Sequence, residues 1–285
     1  MKSWMKVSAA ILITAMICVP LTATVIGTDS HKLSVAGSTT VYPLMAELQK
    51  EFEKFANVDM NVSGGGSGVG VSSTLNGVAD IGMLSRDLKE DEGGGQLVPH
   101  VIAKDAVVVI VNKNVGLPNK EAGIPDLTLE QLAGIYSGKY NDWGEVGGKA
   151  GQKIAVIARE EGSGTRDCFE AALKTVSGGF VAKERDVNSV NSTGAVLLSV
   201  QNTPGAIGYI NLNVEIFAYP GITKVTVDGI TATSENVQDK TYEISRDLIL
   251  VTKGKETGMV KFFMDWILSE DGQRTVESSG FVRVN

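Results

Sequence analysis

Cysteine is nearly absent from this chain. Two are present among 285 residues, and Cys18 lies in an apolar stretch near the N-terminus. Loss of that stretch leaves Cys168 alone, which excludes an intrachain disulfide, and no Cys/His cluster offers a zinc site. Histidine is equally scarce. His31 adjoins the N-terminal segment and His100 a predicted crossover, so neither is expected to serve as the base that serine catalysis requires. Positive charge is the third shortage. With 26 Lys and Arg against 33 Asp and Glu the net charge is −7, which argues against nucleic acid as a partner. Any anion site must therefore work through local donors, because the global field repels the ligand. Internal repeats and low-complexity tracts are also missing.

The N-terminus has what the rest of the chain lacks. "MKSWMK" supplies Lys2 and Lys6, and an uncharged, largely apolar run follows from Val7 to Ile26. This pattern predicts a signal peptide or an uncleaved membrane anchor over residues 1–30. Ile17 stands before Cys18 where a lipoprotein signal would place a small residue. The remainder is expected to be exported, in the periplasm or on the outer face of the cell membrane.

Beyond that segment, hydrophobic periodicity alternates between strand and helix. "KLSVAGS" reads as a strand, and Val41, Leu44, Met45, Leu48, Phe52 and Phe55 mark a helix. "VDMNVS" is a second strand, a helix opens within Gly64 to Gly68, and "ADIGML" is a third strand. This βαβαβ order predicts a parallel sheet with helical crossovers. "VIAKDAVVVIVNKN" is long enough to leave one sheet and enter another. The helix "LTLEQLAGIYSG", the strand "KIAVIAR", a helix after Ser163 and the strand "GAIGYINL" form a middle section. "TKVTVDG" and "YEISRDLILVTKG" read as strands, and "GMVKFFMDWILSEDGQRTVESSG" as helical. The expected fold is α/β with two lobes. Residues 31–103 begin lobe 1, 104–213 form lobe 2, and 214–285 return to lobe 1. Trp143 and Trp266 are expected to pack rather than meet a ligand.

Three segments rich in glycine and hydroxyls fall at strand-to-helix junctions: "GSTT" (Gly37–Thr40), "SGGGSGVG" (Ser63–Gly70) and "EGSGTR" (Glu161–Arg166). A helix N-terminus leaves backbone N–H groups unpaired and carries about half a positive charge. Glycine lets the backbone approach a ligand, while Ser and Thr add donors. Ordinary N-capping accounts for any one junction. Three at the carboxyl ends of strands point to an anion cradle, since ligands of open α/β sheets bind at that edge. None of the three fits a P-loop, a dinucleotide fingerprint or a nucleophile elbow. Ser163 is therefore expected to be a binding donor and not a nucleophile.

"VAGSTTVYPLMAEL", "GGGSGVG…LNGVADIGMLSR", "LTLEQLAGIYSGKYNDW", "REEGSGTR" and "TPGAIGYINL" resemble, in order, the PstS-like phosphate-binding proteins of phosphate ABC transporters. The resemblance implies a hinged periplasmic-binding-protein fold, each lobe a sheet flanked by helices, that closes on inorganic phosphate in the interlobe cleft. It implies delivery to a membrane permease, a monomer, and neither enzymatic activity nor a cofactor. By motif, Thr39 and Thr40 donate from the first helix with Ser38 adjacent, and Ser67 from the second. Ser163, Gly164 and Thr165 donate from the third, and Arg159 supplies the charge. Where well-known members place an aspartate that accepts the proton of phosphate, this chain has Ser85, followed by Arg86, and both are expected among the phosphate-binding residues. Asp87 and Asp167 are alternative acceptors. Arg159 can instead pair with Glu160 or Glu161, and Arg86 with Asp87 or Glu90. The alternatives are another tetrahedral oxyanion (sulfate, molybdate or tungstate) or an exported phosphoester hydrolase.

Overall fold

The computed structural model describes residues 31–117, 125–182, 187–214 and 219–285. The leader expected over residues 1–30 lies outside them. The first sheet grows from β1 (His31–Gly37), β2 (Val58–Gly64) and β3 (Ile81–Leu84). β1 lies between the other two and is parallel to both. The crossovers are helices α1 (Tyr42–Phe52) and α2 (Ser67–Leu75), as the periodicity predicts. α1 buries Leu44, Met45, Leu48 and Phe52 on one face, the spacing of an amphipathic stripe. Gly37 ends β1 at φ +136°, and a Cβ there would stand 2.4 Å from the Met83 carbonyl oxygen. Only glycine lets β1 turn so close beneath α2.

β4 (Leu97–Asn112) is a single strand of 16 residues. Its first half pairs antiparallel with β11 (Ser245–Lys253), which in turn pairs antiparallel with β3. Its second half, Val107 to Val111, pairs with β8 (Ala206–Asn211). The long apolar run therefore does leave one sheet and enter another. The second sheet continues from β8 to β6 (Ala155–Arg159) and β7 (Val187–Val190), all parallel. β9 (Ile222–Lys224) pairs with the end of β4, and β10 (Thr226–Val227) pairs with β5 (Asp126–Leu127) as a separate ribbon. Helices α3 (Leu129–Ser137), α4 (Gly164–Val176), α5 (Thr193–Asn202) and α6 (Ser234–Gln238) belong to this part, while α7 (Gly258–Ile267) and α8 (Glu270–Ser278) close the chain.

The two largest buried cores mark the two lobes of the α/β fold. One joins Leu33, Leu44, Phe52, Ile81, Leu250 and Phe263, and the other joins Val109, Leu132, Trp143, Phe169, Ile207 and Tyr242. The packing corrects the sequence reading in three places. Ile222, Val225, Val227, Val237 and Ile244 pack into the second core, so the chain returns to the first only with β11, not at residue 214. The cause is the pairing of β9 with β4, which holds the segment on the second lobe. "TKVTVDG" is two short strands in different sheets. The C-terminal helical run is two helices, because Ser269 interrupts it and its hydroxyl accepts from the Gly272 N–H at 3.4 Å. Trp143 is fully buried and donates to the Gly205 carbonyl at 2.9 Å. Trp266 stacks among Phe52, Phe55 and Phe263. Both are packing residues, as expected.

Candidate functional site

The parallel strands β1, β2 and β3 end at one edge of the first sheet, and β6 ends facing them from the second. The loops that follow carry the glycine-and-hydroxyl segments. Ser38 Oγ accepts from the Thr40 and Val41 N–H groups at 3.2 and 3.4 Å, which ties the start of α1 to the end of β1. The same hydroxyl donates to Ser85 Oγ at 3.0 Å. Ser67, the first residue of α2, accepts from the Ser85 N–H at 3.1 Å, and the two hydroxyls lie 3.4 Å apart. Ser38, Ser67 and Ser85 thus form one buried cluster on the first lobe.

The second lobe meets this cluster directly. Thr165 Oγ1 lies 2.9 Å from Thr40 Oγ1, and the Gly68 N–H donates to the Gly162 carbonyl at 3.1 Å. A Cβ on Gly164 would fall 2.3 Å from Ser67 Oγ and 2.8 Å from Ser85 Oγ, so the tip of α4 abuts the serine cluster. Ser163 N-caps α4, its hydroxyl accepting from the Arg166 N–H at 3.4 Å. The backbone N–H groups of Ser67, Gly164 and Thr165 have no protein acceptor among the described residues. Two helix N-termini, α2 and α4, thus converge with donors to spare, and that of α1 adjoins them.

Arg159 ends β6 and is 2% exposed. Its N–H donates to Tyr209 Oη at 3.0 Å, and Nη2 reaches across to Thr39 Oγ1 at 3.2 Å. Nε and Nη2 also donate to Glu160, both at 2.8 Å. The pairing with Glu160 is thus present, but in a buried cleft wall and not on the surface. Burial pushes the Tyr209 phenol above its ordinary value, which keeps it neutral beside Arg159.

Arg86 takes a different direction. Nη1 and Nη2 each donate to Glu92 at 2.7 Å, and Nη1 also to the Asp87 carbonyl at 2.8 Å. Its Nε stands 2.7 Å from Asp167 Oδ2, out of line for a hydrogen bond, so charge joins them. The partners are thus Glu92 and Asp167, where the sequence reading named Asp87 or Glu90; Asp87 contributes only its carbonyl. Lys89 Nζ also reaches Asp167 Oδ2, at 3.0 Å. Asp167, considered an acceptor for the proton of phosphate, instead faces two cations. Burial pushes the Glu92 carboxyl up, but hydrogen bonds from Arg86 and the Lys89 N–H outweigh it and hold it below its ordinary value.

Sequence reasoning missed the pair beneath the cluster. Asp105 on β4 and Arg246 on β11 lie opposite each other and are joined by bonds of 3.1 and 2.7 Å. Arg246 Nη1 donates to the Ser85 carbonyl at 3.2 Å, and Asp105 Oδ1 accepts from the Leu212 N–H at 3.0 Å. The pair therefore sits where β4 passes between sheets and holds both the ligand-edge loop and the end of β8. Arg246, at the head of a strand that runs on into the apolar "LILV", was the signal available. A broad groove on the described surface, lined by Glu47, Phe55, Trp266 and Arg274, shares none of these residues. No helix among the described residues is long and apolar enough to cross a membrane.

Comparison with known proteins agrees with this geometry. The model of a PBP superfamily domain matches residues 22–271. The phosphate-binding protein PstS of Bacillus subtilis is 33% identical over 262 residues, covering 90% of this chain and 81% of that protein. PstS of Borreliella burgdorferi is 32% identical over 263 residues, covering 90% and 91%. A crystal structure from Clostridium perfringens, described as a phosphate ABC transporter substrate-binding protein with bound phosphate, superposes with a TM-score of 0.78. It is 37% identical, covering 90% of this chain and all of that one. The chain belongs to the PBP superfamily and, within it, to the PstS-like family of substrate-binding proteins.

Proposed function

We propose that this protein is an extracytoplasmic solute-binding protein that captures inorganic phosphate between its lobes and delivers it to the permease of an ABC importer. Residues 31–103 with the segment from β11 onward form one jaw, and the intervening chain forms the other. Ser38, Thr39, Thr40, Ser67 and Ser85 act from the first jaw, and Arg159, Ser163, Gly164 and Thr165 from the second. The observation that carries the reading is the convergence of spare backbone donors at two helix tips with a buried guanidinium. Such a set suits an anion because each terminus contributes about 0.3–2 kcal/mol and each charge-assisted bond about 1.5–3 kcal/mol. A micromolar complex needs only about −8 kcal/mol. Residues 1–30 act as the export signal or membrane anchor, and the protein works as a monomer without a cofactor.

A second reading, a fully ionised oxyanion such as sulfate, draws on the donors themselves. Arginine and backbone N–H groups cannot sense the proton of phosphate, and the Ser85 hydroxyl accepts less strongly than a carboxylate. Calorimetric titration of phosphate-stripped protein with phosphate, sulfate, molybdate and tungstate decides between them. Phosphate is expected to bind tightest, and tighter binding of any other anion overturns the assignment. Incubation with a phosphoester is expected to release no phosphate.

A further inference from the structure

We propose that Arg86 and Asp167 form a latch between the lobes, a charge contact made only on closure that slows release of the anion without touching it. The inference rests on the solute-binding reading above. Arg86 lies in the loop after β3, and Asp167 in the first turn of α4. Glu92 and the Asp87 carbonyl take both terminal nitrogens of Arg86. These partners belong to the same lobe as Arg86, so the guanidinium keeps its direction whether or not the lobes meet. The remaining Nε edge faces Asp167 at 2.7 Å. Lys89 reaches the same oxygen from the same side at 3.0 Å.

The placement of Asp167 gives this contact its purpose. A carboxylate in the first turn favours its helix, but it also stands two residues from Thr165, where an anion is to bind. With the lobes apart, that charge opposes the ligand. With the lobes together, Arg86 and Lys89 neutralise it, so the site loses a nearby negative charge as the anion is enclosed. Arg86 is 6% exposed and Asp167 27%, which leaves the pair only partly screened. Contacts of this kind act mainly on dissociation.

The test uses wild type, Asp167→Asn and Asp167→Glu, with phosphate association and dissociation followed by stopped flow. Asp167→Asn is expected to release phosphate about tenfold faster, with association no slower than in wild type because the opposing charge is gone. Asp167→Glu is expected to recover most of the loss. The loss is the same factor for every oxyanion that the wild type binds, because the latch senses closure and not the ligand. An unchanged dissociation rate, or a loss confined to protonated phosphate, overturns the latch; the latter outcome makes Asp167 a ligand contact. Failure of the wild type to bind any anion refutes the functional reading, and the latch with it, whereas binding with an unchanged dissociation rate in Asp167→Asn refutes the latch alone.

Discussion

Replacing Arg159 by alanine removes a buried charge that bridges to Thr39 and leaves Glu160 facing the cleft without its cation. Both effects oppose an anion, so phosphate affinity is expected to fall about a hundredfold or more by calorimetry. Arg86→Ala costs about tenfold in the same titration. Gly164→Ala separates binding from folding. A Cβ there meets Ser67 Oγ at 2.3 Å and Ser85 Oγ at 2.8 Å across the interlobe contact, yet alanine suits a helix. Thermal stability of the ligand-free variant is expected to match or exceed wild type, while its affinity for phosphate drops by about tenfold or more. Burial pushes the Cys168 thiol up to about 11, against the smaller opposing pull of Arg246. Its side chain is part-exposed, so reaction with a disulfide reagent is expected to proceed at neutral pH, but much more slowly in the folded protein than in the unfolded chain. Much of the site is legible in the sequence because Gly, Ser and Thr at strand-to-helix junctions have a local reason to be there. The partners of Arg86 are not legible. Glu92 lies six residues on, across a loop whose path no periodicity encodes, and Asp167 comes from the other lobe.

Among the elements, β4 and β11 join the two halves of the molecule. Asp105 and Arg246 are buried at their crossing, and an ion pair there resists loss of one partner more than loss of both. Asp105→Asn keeps an acceptor for the Leu212 N–H but strands the guanidinium. It is expected to lower the unfolding free energy by about 3–5 kcal/mol in a denaturant titration. The conservative swap of both residues for apolar ones costs less. The strands and helices of the βαβαβ unit are readable because their apolar positions keep a single period. α5 escaped notice because the period is blurred: Val196, Leu197 and Val200 are buried, but Leu198, in the same apolar run, is 54% exposed. The break between α7 and α8 carries neither Gly nor Pro before it. Its signal is subtler, a capping Ser269 followed by Glu270 and Asp271 in the first turn.

For the whole molecule, the donors lie on both lobes, so a bound anion favours the arrangement in which they meet. Small-angle scattering is expected to show a smaller radius of gyration at saturating phosphate than in its absence. An unchanged radius with binding confirmed would mean that the lobes do not act as a clamp. The central place of β11 in the first sheet has a further consequence during synthesis. As the nascent chain emerges, β1, β2 and β3 can associate early, but β3 keeps an open edge until β11 arrives from near the C-terminus. The second lobe has its own strands in hand by Val227, before β11 is made. The ribosome thus releases a chain whose late-made lobe can finish first, while its early-made lobe waits with an unpaired edge open to aggregation.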